Sequence, residues 1–321
     1  MKLLISSLLA MALLDPDVIP PSGANGSGKV APQAKPAKVS AAATFGGMST
    51  PESVLYDAES DVYLVSNING SPLARDNNGF IAVLSPEKPD APFTKLVEGG
   101  KNKVTLNAPK GMAILGGVLY VADIDTVRMF ERKTGKPKGE LKVLGATFLN
   151  DLAVSPDGST VYFTDSGLKQ GAKDFEPSGA DAVYAIKQGK VAPVLQDKDL
   201  GRPNGLVATA ESLWVVNFGN NELWALDLKT GKKGAVTKLP KGGLDGLVML
   251  SNGEVLVSSW EGSAVYRGKP GGEFKELIGE LSAPADIGYD TKRNRVLVPR
   301  FTDNRVETFA VTASGAPPLK P

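Results

Sequence analysis

Six short phrases recur along the chain, and the second residue of each marks a place where chemistry can gather. In register they read PESVLYDAESDVYLVSN, PKGMAILGGVLYVAD, LNDLAVSPDGSTVYFTD, PNGLVATAESLWVVN, LDGLVMLSNGEVLVSS and PADIGYDTKRNRVLVPR, which puts Glu52, Lys110, Asn150, Asn204, Asp245 and Ala285 in one column. Two carboxylates and two amides in that column are the donor set a hard divalent cation prefers. Glu52, Asn150, Asn204 and Asp245 are therefore the expected metal ligands, with Ca2+ foremost and Mg2+, Mn2+ or Zn2+ as alternatives. A lone Asn or Asp at a strand start is ordinarily a turn cap, so the reading rests on the shared column. Lys110 offers a competing arrangement, an ion pair with Glu52 that neutralises the ring without a metal.

A second column comes from the last residue of each phrase's second strand: Asn67, Asp123, Asp165, Asn217, Ser259 and Arg300. These are expected around the mouth of the site, and Asn67, Lys110, Asp123, Asp165, Asn217 and Arg300 are the expected substrate contacts. Arg300 suits a carboxylate or phosphate, or else an ion pair with Asp286 or Asp303. Asp123, Asp125, Asp151 and Asp165 could instead serve a second, structural cation. Trp214 and Trp224 read as core residues, whereas Trp260 follows the second column and could face a ligand. The chain contains no cysteine and no histidine, which excludes thiolate nucleophiles, imidazole bases and Ser-His-Asp triads.

These residues must be positioned by hairpins. In Leu149–Asp165 an apolar run, a Pro-Asp-Gly turn and a second apolar strand bring Asn150 and Asp165 to the same end. The phrases begin at Pro51, Pro109, Leu149, Pro203, Leu244 and Pro284, so successive starts lie 58, 40, 54, 41 and 40 residues apart. A period near 40 built from hairpins predicts an all-β, six-bladed β-propeller. The last blade lacks chain for a fourth strand, which Val39–Phe45 is expected to supply, closing the ring. The long connections Asn69–Gly79 and Gly167–Ala180 leave their blades on the face of Asn150 and are expected to act as lids.

Composition is that of a globular chain: 42% hydrophobic, 22% charged, net charge +1, with 36 glycines and 23 prolines. No basic excess points to nucleic acid. Residues 1–24 read as an export signal, since Lys2 precedes the apolar run LLISSLLAMALL and Ser22-Gly23-Ala24 offers a small-residue cleavage site. The run is too short to span a bilayer, so no membrane contact is expected after cleavage. Residues 25–38 read as a flexible linker, 39–313 as a single propeller domain and 314–321 as a tail. A periplasmic or secreted monomer acting on a small molecule is the expectation.

Over roughly Thr50–Val311 the sequence resembles the SMP-30/gluconolactonase/LRE family of six-bladed propellers. The resemblance rests on PES with Glu52, LND with Asn150, RPNGL with Asn204 and LDGL with Asp245. It implies that Glu52, Asn204 and Asp245 bind a divalent metal, with Asn150 beside it contacting substrate or metal. Two residues before Asn150, where the family's lactonases often carry an arginine, stands Phe148. The donor ring and the resemblance together suggest a metal-dependent hydrolase of lactones or related esters, with Asp245, or failing that Glu52, accepting the proton. The alternative is a non-catalytic propeller that binds a ligand or protein on the same face.

Overall fold

The computed structural model describes residues 39–311, so the expected signal segment, linker and C-terminal tail lie outside the described residues. Among the described residues every regular element is a strand. They form six four-stranded antiparallel sheets and one two-stranded sheet, the architecture of a six-bladed propeller. The innermost strands begin where the phrases begin: Pro51–Asp57, Pro109–Leu115, Leu149–Val154, Pro203–Ala208 and Leu244–Met249 in blades one to five. Blade six enters through a bridge between Pro284 and Arg300 before its first strand, Gly288–Asp290.

Blade three illustrates how sequence makes a blade. Leu149–Val154 and Thr160–Asp165 pair across the Pro156-Asp157-Gly158 turn, and Ala182–Lys187 and Lys190–Gln196 follow outward. Gly158 takes φ 65°, a left-handed conformation that glycine adopts without penalty. Asp157 caps the turn through the Ser155 hydroxyl at 2.5 Å and the Ser159 N–H at 3.0 Å. The alternating residues of each strand then face the two neighbouring blades. One apolar cluster joins Ala122 and Val127 of blade two to Leu149, Phe163 and Tyr184 of blade three, and the same sharing recurs around the ring. Trp224 is fully buried in such a cluster and Trp214 is half-buried beside another.

In blade six the fourth position is occupied by Ala43–Phe45, paired antiparallel with Arg305–Ala310 through Ala43 opposite Thr308, Thr44 opposite Glu307 and Phe45 opposite Val306. This strand is shorter than the Val39–Phe45 span read from sequence, though Val39 still packs on the cluster between blades five and six. Phe45 and Met48 anchor it in the core shared by blades six and one.

Each innermost strand in blades one to five carries an irregularity at its first turn of pairing. Pro109 faces Asp123 and Met112 faces Val121, so three steps on one strand match two on the other. The same one-residue bulge lies between Pro51 and Ser53, Leu149 and Leu152, Pro203 and Leu206, and Leu244 and Leu247. A bulge bends the strand and re-aims the inserted side chain. In every case the candidate donor column falls within it.

Candidate metal and substrate site

Glu52, Asn150, Asn204 and Asp245 are each 2–5% exposed and reach the channel from four different blades. The residue after the donor shows how tightly the innermost strands approach. A Cβ on Gly205 would come within 2.3 Å of the Asp245 carbonyl, and one on Gly246 within 2.2 Å of the Ile287 nitrogen. Glycine in PNGL and LDGL is thus required by neighbouring backbone, so adjacent donors are held close together. Where that third position is not glycine it holds Ser53, Asp151 or Asp286. Ser53 donates a short hydrogen bond to Asp286, and Asp151 accepts the Leu206 N–H at 3.0 Å, so these side chains stitch the innermost strands together below the donors.

Each of the four donors keeps one solvent-shielded oxygen without a protein hydrogen-bond donor: Glu52 Oε2, Asn150 Oδ1, Asn204 Oδ1 and Asp245 Oδ1. Among the described residues only six buried side-chain oxygens lack a partner, and these are four of them. Leaving a buried acceptor unpaired costs about 1–3 kcal/mol, so four of them at the heads of the innermost strands are a costly arrangement without a ligand. The remaining atoms of the same side chains are tied down. Asn150 Nδ2 donates to the Ser166 hydroxyl at 3.0 Å, which fixes the amide with its oxygen free, and the Trp260 indole donates to Asp245 Oδ2 at 2.7 Å. The donor set fits a hard cation. Among the described residues no cluster of three or more His, Cys, Asp and Glu side chains forms a metal site; here the amide oxygens of Asn150 and Asn204 complete what two carboxylates begin.

Burial pushes the Glu52 carboxyl well above its ordinary range, and the charges of Asp245 and Asp286 add to the effect. Asp245 is likewise pushed up, first by burial and then by Asp286, while Trp260 and Asn204 pull it back. Asp286 is raised to about 7 by burial against the bonds from Ser53 and Asp151. A channel holding this much buried carboxylate is electrostatically unfavourable on its own, the field a divalent cation relieves.

Lys110 shares the level of the donors but does not neutralise them by direct pairing. Its ammonium donates to the carbonyls of Pro72 at 3.0 Å and Ala108 at 3.1 Å and lies 4.4 Å from the centre of the Phe148 ring. Burial lowers its pKa to about 8 despite the opposing charge of Glu52.

The second column corrects the reading from sequence. Asn67, Asp123, Asp165, Asn217 and Ser259 are fully buried and hydrogen-bonded to the loops entering their own blades. Asp165 accepts the N–H groups of Thr147, Phe148 and Gly167 at 2.8, 3.0 and 2.8 Å. Asp123 accepts those of Asn107 and Ala108 and the Arg128 guanidinium. Asn67 accepts the Ser49 N–H, Asn217 binds Leu200 and Trp224, and Ser259 donates to Gly242. Arg300 pairs with Asp303 and Glu307 and not with Asp286. Of the carboxylates that could serve a second cation, Asp125 binds Arg75, Lys142 and Thr126. The position after this column is the one sequence reasoning left unread apart from Trp260. It holds Ile68, Ile124, Ser166, Phe218, Trp260 and Phe301, and Trp260 packs against both Phe218 and Phe301 at ring-centre distances of 5.5 and 5.1 Å.

Both long connections return to this face. Pro72 of the first meets Lys110, and Arg75 binds Asp125. The second contains a small hairpin, Leu168–Gln170 with Phe175–Pro177, whose Phe175 packs against Phe148 at 6.3 Å. A separate cleft of 460 Å³ lies on the flank of blade three among Thr147, Ser178, Asp181 and Gln196; none of the four donors lines it.

Six blades around a channel, with buried carboxylate and amide oxygens contributed by four of them, define a six-bladed propeller whose channel is lined by oxygen donors. The chain belongs to the SMP-30/gluconolactonase/LRE-like family, whose model matches residues 50–287. Among solved structures it is similar to a gluconolactonase from Xanthomonas campestris, with 17% identity, a TM-score of 0.65, and coverage of 87% of this chain and 96% of that one. At that identity the likeness speaks for the fold. Among curated proteins none matches the sequence.

Proposed function

We propose that the protein is an exported, metal-dependent hydrolase of lactones or related esters, with Glu52, Asn150, Asn204 and Asp245 holding one divalent cation, Ca2+ foremost. The observation that carries this reading is the set of four buried, partnerless oxygens at the aligned heads of four innermost strands. When bound, such a cation polarises a carbonyl and lowers the pKa of water. The chain's own residues do the rest. Trp260 fixes Asp245 by one oxygen and leaves Oδ1 without a protein partner, which orients this carboxylate as the leading acceptor of the proton from the attacking water. Glu52, whose Oε2 also lacks a protein partner, is the second candidate acceptor. Lys110 uses two of its three N–H groups on carbonyls, so the third can meet a substrate oxygen. The Lys110–Glu52 pair that would favour a metal-free binding propeller is replaced by these carbonyl contacts.

The test is a lactone and ester panel assayed with Ca2+, Mg2+, Mn2+ and Zn2+ for the parent chain and Asp245→Ala. Turnover that depends on one cation and falls by about three orders of magnitude in the variant is expected; indifference to both changes would sink the reading. Calorimetry of Glu52→Gln should show cation affinity weakened by about 100-fold. Fractionation of the native host, with the mature N-terminus sequenced, checks export and cleavage near residue 24.

A further inference from the structure

We infer that the substrate of this site carries an apolar arm, alkyl or aryl, beside its acyl carbonyl, and is not a polyhydroxylated sugar-acid lactone. The inference rests on the hydrolase reading above and concerns what the mouth of the site accepts. Five of the six positions that follow the second column are apolar or aromatic, Ser166 being the exception. Trp260 bonds to Asp245 at its edge and packs with its ring against Phe218 and Phe301. Phe301 continues into a cluster with Ile68, Ile124 and Leu73, the last from the first long connection. Across the mouth, Phe148 is braced by Phe175 of the second connection and covered by the Lys110 ammonium. Phe218, Trp260 and Phe301 are only half-buried, so each keeps surface that a ligand can cover.

Most of the polar groups that could have recognised hydroxyls are already engaged, the Arg300 Nε being the exception. The second column binds loop backbone, Arg300 is held by Asp303 and Glu307, and the Ser166 hydroxyl accepts from Asn150 and donates to the Pro203 carbonyl. A sugar lactone entering here would strip water from several hydroxyls and find Lys110 and the Arg300 Nε as its donors, a penalty in proportion to the hydroxyls left unpaired. An alkyl or aryl arm would instead remove the aromatic faces from water. The reaction itself adds one water across the acyl C–O bond and gives a hydroxy acid. Its new carboxylate and hydroxyl are poorly matched to the collar, which favours product departure.

The test compares δ-lactones of increasing alkyl length with D-glucono-δ-lactone, which share the same six-membered ring, using the full chain loaded with the cation found by calorimetry. We expect kcat/KM to rise about fourfold for each methylene that enters the collar and the sugar lactone to trail the longest alkyl lactone by about 100-fold. Phe301→Ser and Phe218→Ser should each flatten that rise to below about twofold per methylene. A second readout needs no turnover: a long-chain 2-alkylcyclohexanone, which has the carbonyl but cannot be hydrolysed, should shift the tryptophan emission of metal-free protein and fail to shift that of Trp260→Phe. Equal or faster hydrolysis of the sugar lactone, or no dependence on chain length, overturns the inference while leaving the hydrolase reading intact. If no lactone or ester of either kind is turned over but the ketone still shifts Trp260 emission, the hydrolase reading fails and the apolar ligand site stands. Absence of both turnover and the emission shift overturns the inference as well.

Discussion

Lys110 sets a cation inside a wall of buried side chains, and its surroundings explain both its cost and its use. Desolvation lowers its pKa to about 8, against the attraction of Glu52, and the Phe148 face and two carbonyls recover part of the loss. A folded pKa below the ordinary value of about 10.4 means that the unfolded chain binds the extra proton more readily. The penalty is complete below about pH 8 and is relieved as pH rises toward 10. Chelated wild-type protein should therefore gain stability relative to Lys110→Met across that window, by up to about 3 kcal/mol, measured by denaturant unfolding at fixed salt. A gap between the two that is flat with pH would contradict this account. That Glu52, Asn150, Asn204 and Asp245 stand at equivalent places at the heads of innermost strands was legible in the sequence because a repeat aligns them. Which atoms remain free was not legible, because it depends on Ser166 and Trp260 occupying the other positions of Asn150 and Asp245.

At the scale of the element, the bulge at the head of each innermost strand decides where side chains go. Counting along a phrase gives the level of a residue but not its direction, and one inserted residue changes which column meets the channel and which meets the loops. That is why the second column read as a channel mouth and is instead a set of loop anchors. Asp123→Ala should leave the N–H groups of Asn107 and Ala108 and the Arg128 guanidinium without their acceptor, a loss of about 3 kcal/mol in stability read by thermal or urea unfolding. Cation affinity, measured on protein still folded, should change far less than in Glu52→Gln. Glycine in LDGL carries a related demand. Gly246→Ala forces a methyl to within 2.2 Å of the Ile287 nitrogen, so it should destabilise by about 2 kcal/mol or more and displace the blade-five donor, weakening cation binding as well. The strands, turns and both long connections could be placed from sequence through their periodicity and Pro-Asp-Gly or glycine punctuation. The small hairpin in the second connection could not, since three-residue strands carry too little pattern to stand out.

For the whole ring, closure depends on contacts between the first and last blades. Arg293 of blade six binds Asp61 and Glu87 of blade one and Asp290 of its own turn, and the Tyr63 hydroxyl reaches the fully buried Asp290 at 2.7 Å. Hydrogen bonds from Arg293 and Lys292 hold the Asp61 carboxyl below its ordinary range. A depressed carboxylate contributes stability above about pH 4, and the contribution is lost as pH falls through the folded value. Arg293→Ala should accordingly lower stability by about 2 kcal/mol at neutral pH through the Asp290 contacts, and the difference from wild type should narrow in acid, below about pH 4. Parallel curves down to pH 2 would show that the clasp is not what joins the two blades. The sixfold period was readable because every blade repeats the same phrase; the clasp was not, because Asp61 and Arg293 lie in turns at opposite ends of the chain and meet only when the circle is complete.

The pairing of Ala43–Phe45 with Arg305–Ala310 also fixes how the molecule answers to force. The two strands run antiparallel, with Ala43 opposite Thr308, so both chain ends leave from the same side of the pair. A pull applied through handles at residues 39 and 311 loads its hydrogen bonds one after another, as in unzipping, and never all at once in shear. The ring should therefore give way first at its seam under a small load, paying out a short length of chain before any other blade yields.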